Sequence, residues 1–537
     1  MIRKRGENGV IILTGGFFLM FLVLAVSYFS IAYERKYAEA ADRRSEFVIH
    51  VGESQGTIYD RNMRPLTNST VKHTAVAVPS AADRSRLREY AVDKEKFDDG
   101  MSSGEPFIFE CSGDTPESDA VTVFESCERY TQEQPARHII GYLSDGKGVS
   151  GIERAYESVL RSGGENSVTY SVDGFGRVII GDGKTVIRSD TAKSGVVLTI
   201  DSDIQQIAEE CGRKLGKGAV VVTDVESGDI LAMASFPEYS ADELGKALDD
   251  KDSPLLNRCL CSYGVGSVFK LVTACEAVEE GSAPYRYECC GCIDVEGQVF
   301  NCHQLSGHGM QSITKAMTNS CNTYFISLSQ ELNAGRFRET AHRLGFGTEN
   351  WLCSEIVGSS GVLPTVSDLN IPAELANFSF GQGKLTASPL QVNRLTCAVA
   401  NGGELPVLRL VKGMTVNGRE VADEKAPQKS EVMDRRTAVM LRQMMISAIR
   451  DNKESLARSE TVTVGAKTST AQTGRYDSSG EELCHGWITG FFPADKPVYA
   501  VTVIAEDGGY GNKAAAPVFR EIAEKITEKD EEISQNH

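Results

Sequence analysis

The most apolar part of the chain lies close to its start. Residues 10–33 are consecutive uncharged positions, most of them apolar. At a helical rise of about 1.5 Å per residue the run is about 36 Å long, enough to cross a hydrocarbon core of about 30 Å. The pattern predicts one transmembrane helix over residues 10–33 after a cytoplasmic tail over 1–9. A cleaved signal peptide is the alternative, but no small-residue cleavage site precedes Glu34.

A region of short strand patterns and turns follows, over residues 34–190. It contains no cluster of reactive side chains, which favours a noncatalytic platform or pedestal domain. Within it, the acidic stretch over about 93–117 is rich in Ser and Gly and predicts a surface excursion.

Residues 195–525 predict a second, larger domain. Strand patterns occur near both of its ends, over 196–200, 219–234, 461–464, 487–492 and 498–505. Helical patterns fill the middle, to about residue 402. This order predicts an α+β fold in which helices pack on one mixed antiparallel sheet. Residues 526–537 are predicted to be a polar C-terminal tail.

Charge narrows the range of partners. The chain has a net charge of −18, whereas nucleic acids are bound by clustered Lys and Arg side chains, so no nucleic-acid partner is expected. Basic residues flank the apolar run on both sides, so charge does not decide its orientation in a membrane.

The 14 cysteines show no regular spacing, and most are predicted to be buried thiols. One dense group could bind a metal or form a disulfide. Its members are Cys289, Cys290, Cys292, Cys302, His303 and His308. Because the spacing matches no standard zinc pattern, plain structural cysteines are favoured and no metal is predicted.

The segment from Gly264 to Val278 holds the best candidate nucleophile. Its apolar positions predict a buried helix, and the preceding glycines place Ser267 at the helix start, where free backbone N–H groups can stabilise an oxyanion. Lys270 lies one turn on, and a buried lysine with a depressed pKa can serve as the base. The same Ser-x-x-Lys spacing recurs at Ser312 and Lys315, so the spacing alone is not specific.

Two further groups fit the same chemistry. Ser320 and Asn322 lie at a predicted loop-to-helix junction, where they could relay a proton and hold a substrate amide. The second group lies near a predicted edge strand and contains Lys467, Thr468, Ser469 and Thr470. It supplies a cation and hydroxyls that are suited to binding a peptide carboxylate.

Together and in this order, these groups resemble the three signatures of the penicilloyl serine transferases, Ser-x-x-Lys, Ser-x-Asn and Lys-Thr-Gly. The resemblance extends to the class B penicillin-binding proteins and covers most of the chain from Gly56 to about Ala505. Further matching segments are Gly56–Asn62, Gly151–Glu153, Leu198–Asp201, Asn257–Arg258, Phe380–Gly383, Asn401–Gly403 and Trp487 with Gly490. This chain departs from the family at three positions: Gln55 replaces Arg, Val265 replaces Pro and Ser469 replaces Gly.

The resemblance implies a peptidoglycan D,D-transpeptidase that needs no cofactor. Ser267 would attack a stem peptide, Lys270 would take its proton, and Ser320 would pass a proton to the departing D-alanine. Asn322 would orient the substrate amide, and the segment 467–470 would bind its carboxylate. β-Lactams would acylate the same serine.

By the same resemblance, the catalytic domain of a single-pass membrane protein would lie outside the cell membrane. The implied partner is a membrane glycosyltransferase of the shape, elongation, division and sporulation kind. A D,D-carboxypeptidase, a β-lactamase-related hydrolase, and a noncatalytic divisome scaffold or β-lactam sensor are the alternatives. The choice between elongation, division and sporulation stays open, as do the preferred stem peptide, the β-lactam sensitivity and the oligomeric state.

Overall fold

The computed structural model describes residues 2–33, 46–181, 183–189, 194–415, 418–419, 421–422, 424 and 426–535. Ile2–Tyr33 form one helix, whose segment Gly9–Tyr33 has a mean hydropathy of 2.6 and exposed side chains. This segment is long and apolar enough to cross a membrane, as predicted, and it supports membrane anchoring of the chain. The start of the predicted pedestal, 34–45, and the end of the predicted tail, 536–537, lie outside the described residues.

Contacts divide the chain into two compact units. The smaller unit combines Met1–Ser54, Val71–Cys127 and Gly164–Asp190, and the larger unit combines Gln55–Thr70, Glu128–Gly163 and Thr191–His537. The larger unit thus includes two segments that precede residue 190 in the sequence. The domain bounds predicted from the sequence stay a prediction.

The smaller unit contains two three-stranded sheets. In spatial order their strands are Phe107–Cys111, Thr70–Ala77 and Val121–Glu128, and Glu46–Glu53, Glu165–Ser171 and Thr185–Ile187. Helices Arg84–Tyr90 and Lys94–Ser103 accompany them. The prediction of a surface excursion over 93–117 was wrong, because Phe97 and Phe109 are buried and anchor this stretch in the core of the unit.

A five-stranded antiparallel sheet is the centre of the larger unit. Its strands are β1 Gly218–Asp224, β2 Ile230–Phe236, β3 Gly465–Tyr476, β4 Glu482–Phe492 and β5 Tyr499–Ala505, in the spatial order β2-β1-β5-β4-β3. Both faces of β1 are buried. Consecutive residues of a strand point to opposite faces, and the neighbours Val220 and Val221 belong to two different hydrophobic cores. The predicted α+β architecture is confirmed.

One face of the sheet is covered by Ser202–Gly212 and the C-terminal helix Ala516–Gln535. The other face is covered by Pro389–Ala400. The helix-rich middle predicted to about residue 402 also contains Lys270–Glu279, Ile313–Thr318, Asn322–Gln330, Ala334–Arg343, Val366–Leu369 and Pro372–Ser379. A further helix, Arg435–Arg450, lies beyond the predicted helical region and contacts β3. The unit also contains short strands. Thr57–Tyr59, Gly195–Leu198, Val411–Thr415 and Val421–Ala422 form one sheet, and Arg286–Cys289 pairs with Gly309–Ser312.

Two predicted bounds differ from the structure. Edge strand β3 begins at Gly465 rather than in 461–464, because Val462 and Val464 are buried without strand pairing. Lys467 therefore lies within the strand. The predicted polar tail is helical as far as Gln535, since Ile526 is buried and continues the apolar face of Ala516–Gln535.

Candidate active site

Ser267 lies in a tight turn, Gly266–Phe269, which leads directly into the buried helix Lys270–Glu279. Gly266 has a φ of +59°, and a Cβ atom there would lie 2.4 Å from Ser469 Oγ, so the turn requires glycine. Its backbone N–H donates to Gly381 O (2.8 Å). Ser267 is half-buried and lines a cleft of about 740 Å³.

The Lys270 side chain is fully buried, and its amine points to the loop that precedes Asn322–Gln330. Lys270 Nζ lies 2.7 Å from both Ser320 O and Asn322 Oδ1, and 3.2 Å from Ser320 Oγ. Within the described chain, none of its hydrogen bonds reaches Ser267. Burial, assisted by the charge of Lys467, holds the pKa of Lys270 well below its usual range.

A neutral amine fits this environment. Ser320 O and Asn322 Oδ1 can only accept, so they take the two N–H groups of an uncharged Lys270. The lone pair then remains available to accept a proton, and the nearby Ser320 hydroxyl can donate to it. The site therefore holds a base that can accept a proton. Its hydrogen bond is to Ser320 and not to the nucleophile Ser267.

Ser320 is held in an uncommon backbone conformation. Its φ is +49°, which costs a non-glycine residue of order 1–3 kcal/mol. The flanking chain is fixed by Ser320 N–H donating to Met317 O (3.2 Å) and Cys321 N–H donating to Ala316 O (2.9 Å). This conformation presents both the carbonyl and the hydroxyl of Ser320 to Lys270.

Edge strand β3 brings the second lysine to the same hydroxyl. Lys467 pairs with Thr489 of β4 and is 3% exposed. Lys467 Nζ donates to Ser320 Oγ (3.0 Å) and to Thr468 O (2.9 Å). Burial lowers the pKa of Lys467 to about 8, so its amine is mostly charged at neutral pH. Ser320 Oγ thus lies between two buried amines.

The residues after Lys467 alternate as the sequence predicts. Thr468 and Thr470 are half-buried, share one face of β3 and line the cleft, whereas Ser469 is buried. Thr470 Oγ1 accepts a hydrogen bond from Gly511 N (3.3 Å).

The Ser469 side chain connects positions 265 and 469, two of the three positions at which this chain departs from the family pattern. Its Oγ donates to Val265 O (2.8 Å), directly before the turn that carries Ser267. Ser469, which the sequence groups with the substrate-binding residues, therefore has its hydroxyl committed to the nucleophile turn.

The second Ser-x-x-Lys pair has a structural role. Ser312 caps the helix Ile313–Thr318, where its Oγ accepts from Lys315 N (3.4 Å). The Lys315 side chain is exposed, so its amine is not desolvated in the way that Lys270 is.

Sequence reasoning missed the opposite wall of the cleft. Asn512 joins two segments of this wall: its Nδ2 donates to Glu454 O (3.0 Å), and its Oδ1 accepts from Leu456 N (3.0 Å). These residues form no local motif. Only the tertiary fold brings them together.

Among the described residues, one group has the composition of a metal site. Cys289, Cys302, His308 and Cys321 place their ligand atoms within 4.8 Å of one another. Cys321 lies between Ser320 and Asn322. The sequence singled out the first three members of this group and missed Cys321.

Comparison with known protein families gives one match. The family model described as "Penicillin binding protein transpeptidase domain" matches residues 218–524. Peptidoglycan D,D-transpeptidase MrdA of Acinetobacter baumannii is 29% identical over 419 residues, 69% of this chain and 60% of that protein. Stage V sporulation protein D of Bacillus subtilis is 27% identical over 409 residues, 72% of this chain and 61% of that protein. The aligned part of the chain thus spans about three fifths of the length of these two relatives.

Solved structures share the fold. A chain in a structure described as "Structural coordination of polymerization and crosslinking by a peptidoglycan synthase complex" superposes with a TM-score of 0.68 at 24% identity, covering 96% of this chain and 97% of that one. Penicillin-binding protein A from M. tuberculosis, as its penicillin G acyl-enzyme complex, gives a TM-score of 0.65 at 21% identity, covering 88% of this chain and all of that one.

We predict that Ser469→Gly lowers the free energy of unfolding by about 1 kcal/mol, because one hydrogen bond to Val265 O is lost. Its acylation rate with a fluorescent penicillin should fall by less than about tenfold.

Melting curves and acylation rates of Ser469→Gly and the native chain test this prediction. An unchanged melting temperature would show that the hydrogen bond to Val265 O adds nothing to stability. A rise of several orders of magnitude in Ser469→Gly would show that the native serine impairs the site.

We predict an alkaline limb in the pH dependence of acylation. If a charged Lys467 binds the carboxylate of the reagent, the second-order rate should fall as pH rises through about 8. Arginine stays charged throughout this range, so Lys467→Arg should move the limb upward by more than one pH unit, whatever its absolute rate. An unchanged limb in Lys467→Arg would assign it to another group.

Proposed function

The chain belongs to the penicillin-binding protein transpeptidase family, and on this premise we propose that it is a serine D,D-transpeptidase that cross-links peptidoglycan stem peptides. The observation that carries the proposal is the meeting of Lys270 and Lys467 at the Ser320 hydroxyl, in the cleft that Ser267 lines. An acyl-transfer enzyme needs a nucleophile, a neutral base and a retained positive charge in one place, and this arrangement offers all three.

In the proposed acylation, Ser267 Oγ attacks the carbonyl carbon between the two terminal D-alanines. Its proton passes to the uncharged amine of Lys270. The peptide C–N bond then breaks, and the departing D-alanine takes a proton from Ser320 Oγ, which is reprotonated by the Lys270 ammonium. The product is an ester on Ser267 with Lys270 neutral again.

The second half of the cycle reverses these transfers. An amine from a neighbouring stem attacks the ester, loses a proton through the same lysine and serine, and releases Ser267. Backbone N–H groups of Ser267 and Thr470 would stabilise the negative oxygen in both halves. The cycle is a ping-pong reaction without a cofactor.

Substrate binding would use the groups left free by the internal hydrogen bonds. Asn322 Oδ1 accepts from Lys270, so the amide nitrogen of Asn322 is the group that can donate to a substrate carbonyl. The Lys467 ammonium and the half-buried hydroxyls of Thr468 and Thr470 would hold the terminal carboxylate. β-Lactams, which carry a carboxylate beside a reactive amide, would occupy the same positions.

Peptidoglycan substrates require the catalytic unit to lie outside the cell membrane, with Gly9–Tyr33 as the single anchor. A transpeptidase also requires glycan strands, so we expect a membrane glycosyltransferase as partner. A similar chain in a peptidoglycan synthase complex supports this expectation.

A hydrolase could use the same groups, either as a D,D-carboxypeptidase or as a β-lactamase-related enzyme. A noncatalytic scaffold or β-lactam sensor is less consistent with a buried base whose hydrogen bonds are complete. Among the described residues, no specific contact favours one of these alternatives over the transpeptidase.

We predict that a fluorescent penicillin labels Ser267 and not Ser312. Of these two serines, Ser267 lines the cleft beside the buried amines, whereas Ser312 caps the helix Ile313–Thr318. Peptide mapping of the labelled full chain locates the adduct. Undiminished labelling in Ser267→Ala, with normal labelling in the matched control Ser312→Ala, would contradict the assignment.

We predict that Lys270→Ala reduces acylation roughly 10²- to 10⁴-fold, the usual effect of losing a general base. Lys315→Ala is the matched control, because it removes the lysine of the second Ser-x-x-Lys pair and should leave the rate unchanged. Circular dichroism establishes that both variants are folded. A near-normal acylation rate in folded Lys270→Ala would mean that another group takes the proton.

A further inference from the structure

The loop that carries Ser320 is the C-terminal cap of the helix Ile313–Thr318. Asn319 is the cap residue, with a φ of −78° and a ψ of −2°, and Ser320 follows with a φ of +49°. The next two backbone N–H groups bond back to carbonyls in the last turn of the helix. This combination is a Schellman motif, in which Ser320 occupies the left-handed position that glycine usually takes.

A serine at this position is costly, because its Cβ atom crowds the backbone in the left-handed conformation. Such conformations persist only where the surrounding structure over-determines them. The hydroxyl of Ser320 lies between Lys270 and Lys467, so glycine in its place would remove the group that the two amines share. The loop therefore depends on contacts beyond the two backbone bonds of the cap.

Two side-chain amides supply such a contact. Asn319 Nδ2 donates to Gln311 Oε1 (3.0 Å), and Gln311 Nε2 donates to His308 O (2.9 Å) and to Met310 O (3.2 Å). Backbone carbonyls can only accept, so they fix the orientation of the Gln311 amide and leave its oxygen to Asn319. Gln311 is 2% exposed, so an unpaired amide oxygen at this place would be expensive.

Gln311 and Asn319 lie at opposite ends of the helix Ile313–Thr318. Gln311 belongs to the strand Gly309–Ser312, where it pairs with Tyr287, and this strand leads directly into the helix. The amide hydrogen bond thus connects the residue two positions before the helix with the residue directly after it. One short helix is held at both ends, and displacement of its C-terminal cap would break this bond.

We propose that Gln311 and Asn319 are positioning residues, whose hydrogen bond holds Ser320 in the left-handed conformation that presents its carbonyl and hydroxyl to Lys270. The hydrogen bonds from Lys270 Nζ to Ser320 O and Oγ depend on this conformation. Loss of the amide pair therefore loosens the base and the proton relay together. The effect on acylation rests on the proposed function, whereas the effect on the loop does not.

Asn319 is also exposed and lines the cleft, so direct contact with substrate is the competing role. The two roles differ in their kinetics. A substrate contact changes the reagent concentration at half-saturation, whereas a positioning residue changes the acylation rate at saturation. The groups proposed to bind the carboxylate lie on β3, outside this loop, so reagent binding should survive the loss of the amide pair.

Hydrogen exchange of the full chain in detergent, measured by mass spectrometry, tests the effect on the loop without reference to activity. In Asn319→Ala, the amides of Ser320 and Cys321 should exchange about fivefold faster than in the native chain, because loss of one hydrogen bond makes opening of the loop easier. Asn333→Ala is the matched control. It also removes one asparagine hydrogen bond, the N-cap of Ala334–Arg343 (3.0 Å), and should leave exchange in the Ser320 loop unchanged.

A second variant tests the partner amide. Gln311→Met keeps the length of the side chain but removes its amide, so exchange in the loop should accelerate at least as much as in Asn319→Ala. Because both residues act through one hydrogen bond, adding Asn319→Ala to Gln311→Met should change the exchange rate by less than about twofold. Circular dichroism establishes that each variant is folded.

Acylation by a fluorescent penicillin over a range of concentrations tests the link to catalysis. Asn319→Ala should lower the acylation rate at saturation about fivefold and change the half-saturating concentration by less than about twofold. Asn333→Ala should change neither value.

Unchanged exchange of the loop in Asn319→Ala would overturn the proposal, as would a full effect of Asn319→Ala in the Gln311→Met background. A higher half-saturating concentration at an unchanged saturating rate would assign Asn319 to substrate binding. Faster exchange with unchanged acylation would show a structural contact only, and would also overturn the proposal. A native chain that is not acylated at all would contradict the proposed function instead, and the exchange rates would still decide the effect on the loop.

Discussion

Two lysine amines, both removed from water, lie within 3.0 and 3.2 Å of the single hydroxyl of Ser320. Two charged amines cannot share such a position cheaply, because burial disfavours each charge and their repulsion adds to the cost. The pKa of Lys270 is lowered further than that of Lys467, because its amine is fully buried and lies beside the charge of Lys467. The division into one neutral and one charged lysine is the physical basis of the site.

The two lysines and Ser320 come from three segments that are distant in the sequence. The sheet provides Lys467 on an edge strand, the helix Lys270–Glu279 provides the base, and a loop in a strained conformation provides Ser320. The Ser469 hydroxyl connects the edge strand to Val265, at the nucleophile turn. Each segment is anchored in a hydrophobic core, which fixes the positions of the polar groups.

Local patterns in the sequence predict which residues take part in the chemistry better than they predict which residues contact one another. The Ser267 turn follows from glycine before an apolar helix, and the alternation in β3 places Thr468 and Thr470 on one face. The bond from Lys270 to Ser320, instead of to the nucleophile, depends on the φ of Ser320, which no pattern encodes. The buried Phe97 in a polar stretch, and Cys321 as the fourth member of the metal-type cluster, likewise depend on tertiary contacts.

Product analysis with nascent peptidoglycan tests the central claim most directly. The full chain, supplied with uncross-linked glycan bearing pentapeptide stems, should form cross-linked dimers and release one D-alanine for each new cross-link. Ser267→Ala should form neither product. Release of D-alanine without dimers, under conditions where a glycosyltransferase partner is present, would contradict the account and establish a carboxypeptidase.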